Sequence, residues 1–242
     1  MKLNDKKFLL DAPAKLNLSL KIHGIRKDGF HSISSYMVFL DLKDTLNISH
    51  SRMNSLNIFG QYKSYINNNN NLILDTLKLC RENNIINENY NIILNKEIPV
   101  SAGLGGGSAD SASLLRFFLN HNKKKFSSYK KHISSLGSDI PACFFSKPLL
   151  ASGRGERIKI INNNKSEVGF LLVKPEFSVI TKKAFSKLNS KIFTKRKALH
   201  NHPNLSSLSG CYEAIALGND FNKIKDKNYE VTNLIQNKIK SL

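Results

Sequence analysis

Cysteine is scarce in this chain and scattered: Cys80, Cys143 and Cys211 are the only three in 242 residues. An odd number at such separations, with no pair at metal-ligand spacing, excludes a disulfide framework and a cysteine metal site. It predicts buried thiols in a reducing compartment. Long apolar runs are missing too. Nothing approaches the roughly 18 apolar residues of a membrane span, so no membrane partner is expected. The opening Met1–Lys7 lacks the apolar centre of a signal peptide, which predicts no secretory leader. Acidic residues are few, 18 against 37 lysines and arginines, giving a net charge of +19. Such a surface attracts anions in general. Here the lysines come with Asn-rich runs at 67–71 and 162–164, a compositional drift toward Lys, Asn and Ile. Aromatics do not alternate with basic residues as in a single-strand platform. The charge is therefore set aside, and no nucleic-acid partner is expected.

What is present is a chain of ordinary globular composition, 40% hydrophobic and long enough for one large or two small domains. Phe8–Leu10, Leu16–Ile22, Ile33–Leu40, Thr45–Ile48 and Leu56–Ile58 read as strands, with a glycine turn over 24–29. Leu72–Cys80 reads as an amphipathic helix and Tyr90–Leu94 as a strand. Leu149–Gly155 reads as a strand entering a tight turn. The asparagines at 162–164 suggest a domain boundary. After them, Val168–Val173 reads as the first, central strand of a second unit, with helices expected over Thr181–Leu188 and Tyr229–Ile239.

The strongest local signal is Pro99-Val100-Ser101-Ala102-Gly103-Leu104-Gly105-Gly106-Gly107-Ser108-Ala109-Asp110, set between the strand at 90–94 and a helix from Ser111. Strand, glycine loop and helix start together make an anion site. Glycine lets successive N–H groups converge, and the helix adds unpaired donors at its positive end. The loop is not a Walker A sequence, because no lysine follows Gly107. A dinucleotide fingerprint would need Ser108 in place of its third glycine. Phosphoryl chemistry on such a loop requires a cation and a carboxylate. Lys15, within the small-residue stretch Ala12-Pro13-Ala14, and Asp139, within Gly137-Ser138-Asp139-Ile140-Pro141, are candidates. An ordinary solvated lysine and a helix N-cap are the plain alternatives.

Three blocks resemble the galactokinase, homoserine kinase, mevalonate kinase and phosphomevalonate kinase (GHMP) superfamily, and within it the 4-diphosphocytidyl-2-C-methyl-D-erythritol kinases of non-mevalonate isoprenoid synthesis. They are Ala12–Leu18 through Lys27-Asp28-Gly29-Phe30-His31, the loop Pro99–Ala109, and Leu136–Pro141 with the later Gly153-Arg154-Gly155-Glu156. The resemblance implies an α+β, two-domain GHMP kinase fold. An ATP-binding domain, like domain 2 of ribosomal protein S5, is expected over 1–163. A ferredoxin-like C-terminal domain is expected over 164–242, shortened because no glycine-rich third motif follows Gly218. It implies ATP and Mg²⁺, a small cytidyl diphosphate substrate, a monomer or weak homodimer, and a bacterial cytoplasmic location. Lys15 and Asp139 match the catalytic pair. Pro99 to Ala109 match the ATP phosphate loop, with Ser108 near the metal and Asn71 and Lys96 near the adenine. Asn17, Asp28, Phe30, His31 and Thr181 match substrate positions, position 30 being more often tyrosine. A kinase for another small alcohol, or a non-catalytic nucleotide-binding remnant, are the alternative readings.

Overall fold

The computed structural model describes residues 6–67, 71–161, 168–175 and 202–224, with isolated positions at 185, 186, 188, 193, 231, 234, 235 and 238. By their contacts these fall into two compact units that interleave along the chain. The first comprises 1–16, 39–100 and 104–146, and the second 17–38, 101–103 and 147–242. The boundary expected at 162–164 lies outside the described residues.

The first unit begins with β1 (Lys7–Asn17), whose Phe8, Leu10, Ala12 and Ala14 share the inward face. Among the described strands β1 pairs only with β3 (His31–Ser51), the edge position in which a proline such as Pro13 is tolerated. The two strands expected over 33–40 and 45–48 are this single 21-residue strand. Its far half pairs antiparallel with β5 (Asn89–Asn95), and β4 (Ser55–Phe59) lies parallel outside β5. The helices are α1 (Leu72–Glu82), α2 (Gly106–His121), α3 (Phe126–Leu136) and α4 (Ile140–Phe145). Leu46, Ile48, Ile92, Leu94, Leu114, Leu115 and Phe118 form the heart of the core between strands and helices. Burying each large side chain contributes about 1.5–3 kcal/mol.

Polar ties fix α2 on several sides. Thr76 Oγ1 meets Ser111 Oγ at 2.6 Å, and Ser113 Oγ donates to Asp11 O at 2.8 Å. The Arg116 guanidinium donates to Phe144 O at 2.8 Å.

In the second unit, β2 (Lys21–Ile25) and β6 (Leu149–Gly153) pair antiparallel with the first part of β3, and β7 (Arg157–Ile160) lies outside β6. The single strand expected over Leu16–Ile22 is broken. Leu18, Ser19 and Leu20 are all buried, which a strand covered on one face only does not allow. The break is held by Leu18 N–H on Tyr36 O at 2.8 Å and by Ser35 Oγ–H on Ser19 O at 2.5 Å, and Leu20 makes a parallel bridge to Asn219. The central strand expected over Val168–Val173 is also overturned. No residue of 168–175 is in a strand, and Leu171 is 86% exposed. An apolar run becomes a central strand only with strands on both sides, and none among the described residues pairs with it. A helix over Leu208–Ala216, capped by the Ser207 hydroxyl on Gly210 N–H, has no counterpart in the sequence reading. The helices expected over Thr181–Leu188 and Tyr229–Ile239 lie largely outside the described residues.

Candidate active site at the glycine loop

The loop adopts the conformations its glycines permit. Ser101, Gly103 and Gly105 alternate at φ of +57°, +77° and +68°. Such left-handed turns bend successive N–H groups toward one side. Gly105 is the N-cap of α2, and the helix's own bonding begins with Ala109 N–H on Gly105 O at 2.8 Å. The N–H groups of Gly106, Gly107 and Ser108 therefore have no acceptor within the helix. No acidic residue stands in the first turn to compete for them.

Lys15 and Asp139 meet at this helix start. Lys15 Nζ lies 2.9 Å from Asp139 Oδ2, with the lysine side chain 4% exposed and the aspartate 33%. A Cβ on Gly105 would stand 3.2 Å from Lys15 Cε and 3.8 Å from Asp139 Oδ2. Glycine at 105 thus leaves room for the pair as well as the turn. The backbone fixes the lysine, because Lys15 N–H donates to Leu104 O at 2.8 Å. Asp139 sits at the N-cap of α4 but makes no side-chain cap bond. The capping alternative fails, and its carboxylate faces Lys15. Ser108 Oγ is 3.8 Å from the point a Cβ on Gly137 would occupy, two residues before Asp139.

The other residues expected near the nucleotide have structural partners. Asn71 caps α1, its Oδ1 accepting from Ile73 N–H at 3.0 Å and Leu74 N–H at 3.3 Å. Leu72 follows it, and its Cδ1 lies 3.5 Å from where a Gly107 Cβ would stand. Lys96 is sealed. Its Nζ contacts Asp44 Oδ2 at 2.5 Å and Asp110 Oδ2 at 2.6 Å, and lies 2.9 Å from a Cβ placed on Gly106. Asp44 also accepts from Glu97 N–H at 2.6 Å and Ile98 N–H at 2.8 Å. Burial, opposed by Lys96 and reinforced by Asp44, pushes Asp110 up to about 8. Burial works against the Lys96 charge, but Asp110 and Asp44 outweigh it and hold its pKa above the ordinary lysine value. Asp44 was absent from the sequence reading, and Asp110 stood there only as the last residue of the loop segment, with no role of its own. A signal existed for Asp110, which precedes Leu114 and Phe118 at helical spacing on a buried face.

The described positions expected to contact the substrate, Asn17, Asp28, Phe30 and His31, lie in the second unit. Asn17 Oδ1 accepts from Ser35 Oγ at 3.2 Å. Asp28 accepts from Phe30 N–H and Arg26 Nε, both at 3.2 Å. Desolvation opposes ionisation there, but the Phe30 amide, Arg26 and Arg154 together hold its carboxyl below the usual range. The His31 ring stands 5.0 Å from the Phe185 ring centre and 6.2 Å from Phe193, and burial lowers its pKa. Thr181 lies outside the described residues. All three cysteines are free and buried, and burial pushes the Cys80 thiol up to about 12 and those of Cys143 and Cys211 upward, which removes them as nucleophiles at neutral pH.

Residues 71–147, the loop and α4 included, match the GHMP kinases N terminal domain. A Thermoanaerobacter protein named 4-diphosphocytidyl-2-C-methyl-D-erythritol kinase is 32% identical over 237 residues, covering 97% of this chain and 81% of that protein. The chain belongs to this kinase family. The Clostridium tetani member is 35% identical over 191 residues, covering 77% of this chain and 66% of its own length, just under two thirds. A crystal structure of 4-(cytidine 5′-diphospho)-2C-methyl-D-erythritol kinase superposes with a TM-score of 0.70 at 23% identity, covering 98% of this chain and 83% of that one. That match shows a shared GHMP kinase fold of mixed α and β content. Among the described residues, no helix is long and apolar enough to cross a membrane.

Proposed function

We propose that this chain transfers the γ-phosphoryl group of ATP to the 2-hydroxyl of 4-diphosphocytidyl-2-C-methyl-D-erythritol, giving the 2-phosphate and ADP. The observation that carries the reading is the Lys15–Asp139 pair at 2.9 Å against the first turn of α2. The N–H groups of Gly106, Gly107 and Ser108 and the helix dipole bind phosphate oxygens. Lys15 is a compact positive charge beside both the carboxylate and the transferring group. Asp139, the more exposed partner, takes the hydroxyl proton as the oxygen attacks phosphorus and the bond to ADP breaks. The work is mostly positioning and charge stabilisation.

Ser108 and Asp139 present oxygen donors on this side of the loop, the chemistry that suits magnesium. Ser108 would hold the ion against the phosphates, and when bound it neutralises their charge. Asn71 and Lys96 flank the adenine in this reading. Asn17, Asp28, Phe30 and His31 hold the cytidyl group, with Thr181 toward the diphosphate. An enzyme of this kind takes its ATP from the bacterial cytoplasm.

The test is phosphoryl transfer from γ-labelled ATP to the cytidyl alcohol, run beside homoserine and mevalonate. Transfer to the cytidyl alcohol that is lost in Asp139→Asn is expected. Transfer that survives the substitution overturns the base assignment, and transfer only to another alcohol overturns the substrate.

A further inference from the structure

The proposed transfer makes no use of Gly153-Arg154-Gly155-Glu156, yet this turn is tightly built. Gly153 ends β6 at a φ of +75°, and a Cβ there would stand 2.6 Å from Glu156 Oε1. The carboxylate fills that space and accepts from Arg154 N–H at 2.6 Å. Gly155, at φ +117°, donates its N–H to Ser152 O at 3.2 Å. Both glycines hold conformations that other residues rarely adopt. Gly153 is in register with Ile33, which sets the turn beside the start of β3, where Phe30 lies. The Arg154 guanidinium stands 4.7 Å from the centre of the Phe30 ring. Phe30 is 51% exposed, and its backbone is fixed by its N–H bond to Asp28.

We infer that Arg154 is a positioning residue for pyrimidine recognition: its guanidinium covers one face of Phe30 and leaves the opposite face to stack the base of a cytidine nucleotide. This rests on reading Phe30 as part of the cytidyl site. A half-exposed phenylalanine loses side-chain freedom when a base stacks on it. A cation already seated on the ring removes much of that freedom beforehand. Phe30 has no hydroxyl by which its edge could be held, so the hold comes through its face. The turn supplies that hold from a neighbouring strand, with Glu156 and two glycines fixing where the arginine emerges.

The experiment is calorimetric titration of the full chain with cytidine 5′-diphosphate. It uses Arg154→Met, Arg154→Lys, Phe30→Leu and the double variant Phe30→Leu with Arg154→Met, each checked for thermal unfolding. Arg154→Met is expected to weaken binding about 3- to 10-fold, the range of a partly desolvated cation–π contact. Arg154→Lys recovers part of the loss. In the Phe30→Leu background Arg154→Met has no further effect, because the arginine acts through the ring. The KM for the cytidyl alcohol rises by the same factor, and the KM for ATP does not move. Unchanged affinity in Arg154→Met, or losses that simply multiply in the double variant, overturns the inference. Should the methionine variant not fold, Arg154→Lys decides, and wild-type affinity there overturns it equally. If the wild-type chain binds no cytidine diphosphate, the functional reading falls and takes this inference with it. If it binds but ignores Arg154, only this inference falls.

Discussion

Two lysine–aspartate assemblies stand against adjacent glycines of the same loop, Gly105 and Gly106, and they are built to opposite ends. Lys15 meets one carboxylate, Asp139, which is one-third open to solvent. Lys96 meets two, Asp44 and Asp110, and the lysine is only 2% exposed. In the first, the carboxylate can be reached by a hydroxyl and its charge is matched by a single cation. In the second, charges are buried with mutual partners and backbone donors, an arrangement that holds structure and gives little access to a reactant. Proximity to the loop and residue type do not distinguish the two. Exposure of the carboxylate does.

The comparison breaks most visibly at Asp139. Asp139→Asn is expected to lower kcat by about 10²–10⁴-fold, the usual share of a general base, while moving the urea midpoint little. A large stability loss with normal kcat would reverse the assignment. Lys96→Met should do the opposite. It takes the counter-charge from buried Asp44 and leaves only Asp110 beside it, at a cost of about 3–5 kcal/mol in urea unfolding. A methionine variant as stable as the parent would show that the triad does not hold the fold.

Asp110 sharpens the contrast through pH. Its carboxyl is pushed from an ordinary 3.8 up to about 8, first by burial, against the pull of Lys96 and with the help of Asp44. Between those values the folded chain keeps a proton that the unfolded chain has released. Stability due to this group therefore falls as pH rises from about 4 to about 8. Urea midpoints measured from pH 5 to 9 should show a downward slope that Asp110→Asn reduces, and equal slopes would exclude Asp110 as its source. The smallest effect is expected at Asn71→Ala, which removes the α1 cap and costs about 1 kcal/mol. If KM for ATP changes while stability does not, Asn71 acts on the nucleotide and not as a cap.

The site was legible where its chemistry is contiguous. Pro99–Ala109 carries its glycines in one run, and the small residues around Lys15 and the Gly-Ser-Asp-Ile-Pro stretch around Asp139 mark the other two parts. The Lys96 triad was not legible, because residues 44, 96 and 110 meet only through strand pairing and the placement of α2. The same limit explains the broken strand at 18–20. Its alternation looks regular until Tyr36 and Asn219, distant in sequence, claim its backbone and bury three residues in a row. At 168–173 the reverse holds: apolar content suggested a buried strand, and the flanking strands that would bury it are not found among the described residues.

The pairing of β3 with β6 also bears on how the chain is made. Ile33 has Ile22 near at hand, but its second partner Gly153, and Asn219 for Leu20, come far later in the chain. On a ribosome, β2 and the first part of β3 emerge early and pair with each other, but they lack β6 until residues 39–100 and 104–146 have been synthesised. Domains that fold as they emerge need neighbours that emerge with them. This chain splits one of its units around the other along the sequence, so that unit closes only after Asn219 has emerged. A pause before Asn219 would then set the yield of folded protein more strongly than one anywhere near the glycine loop.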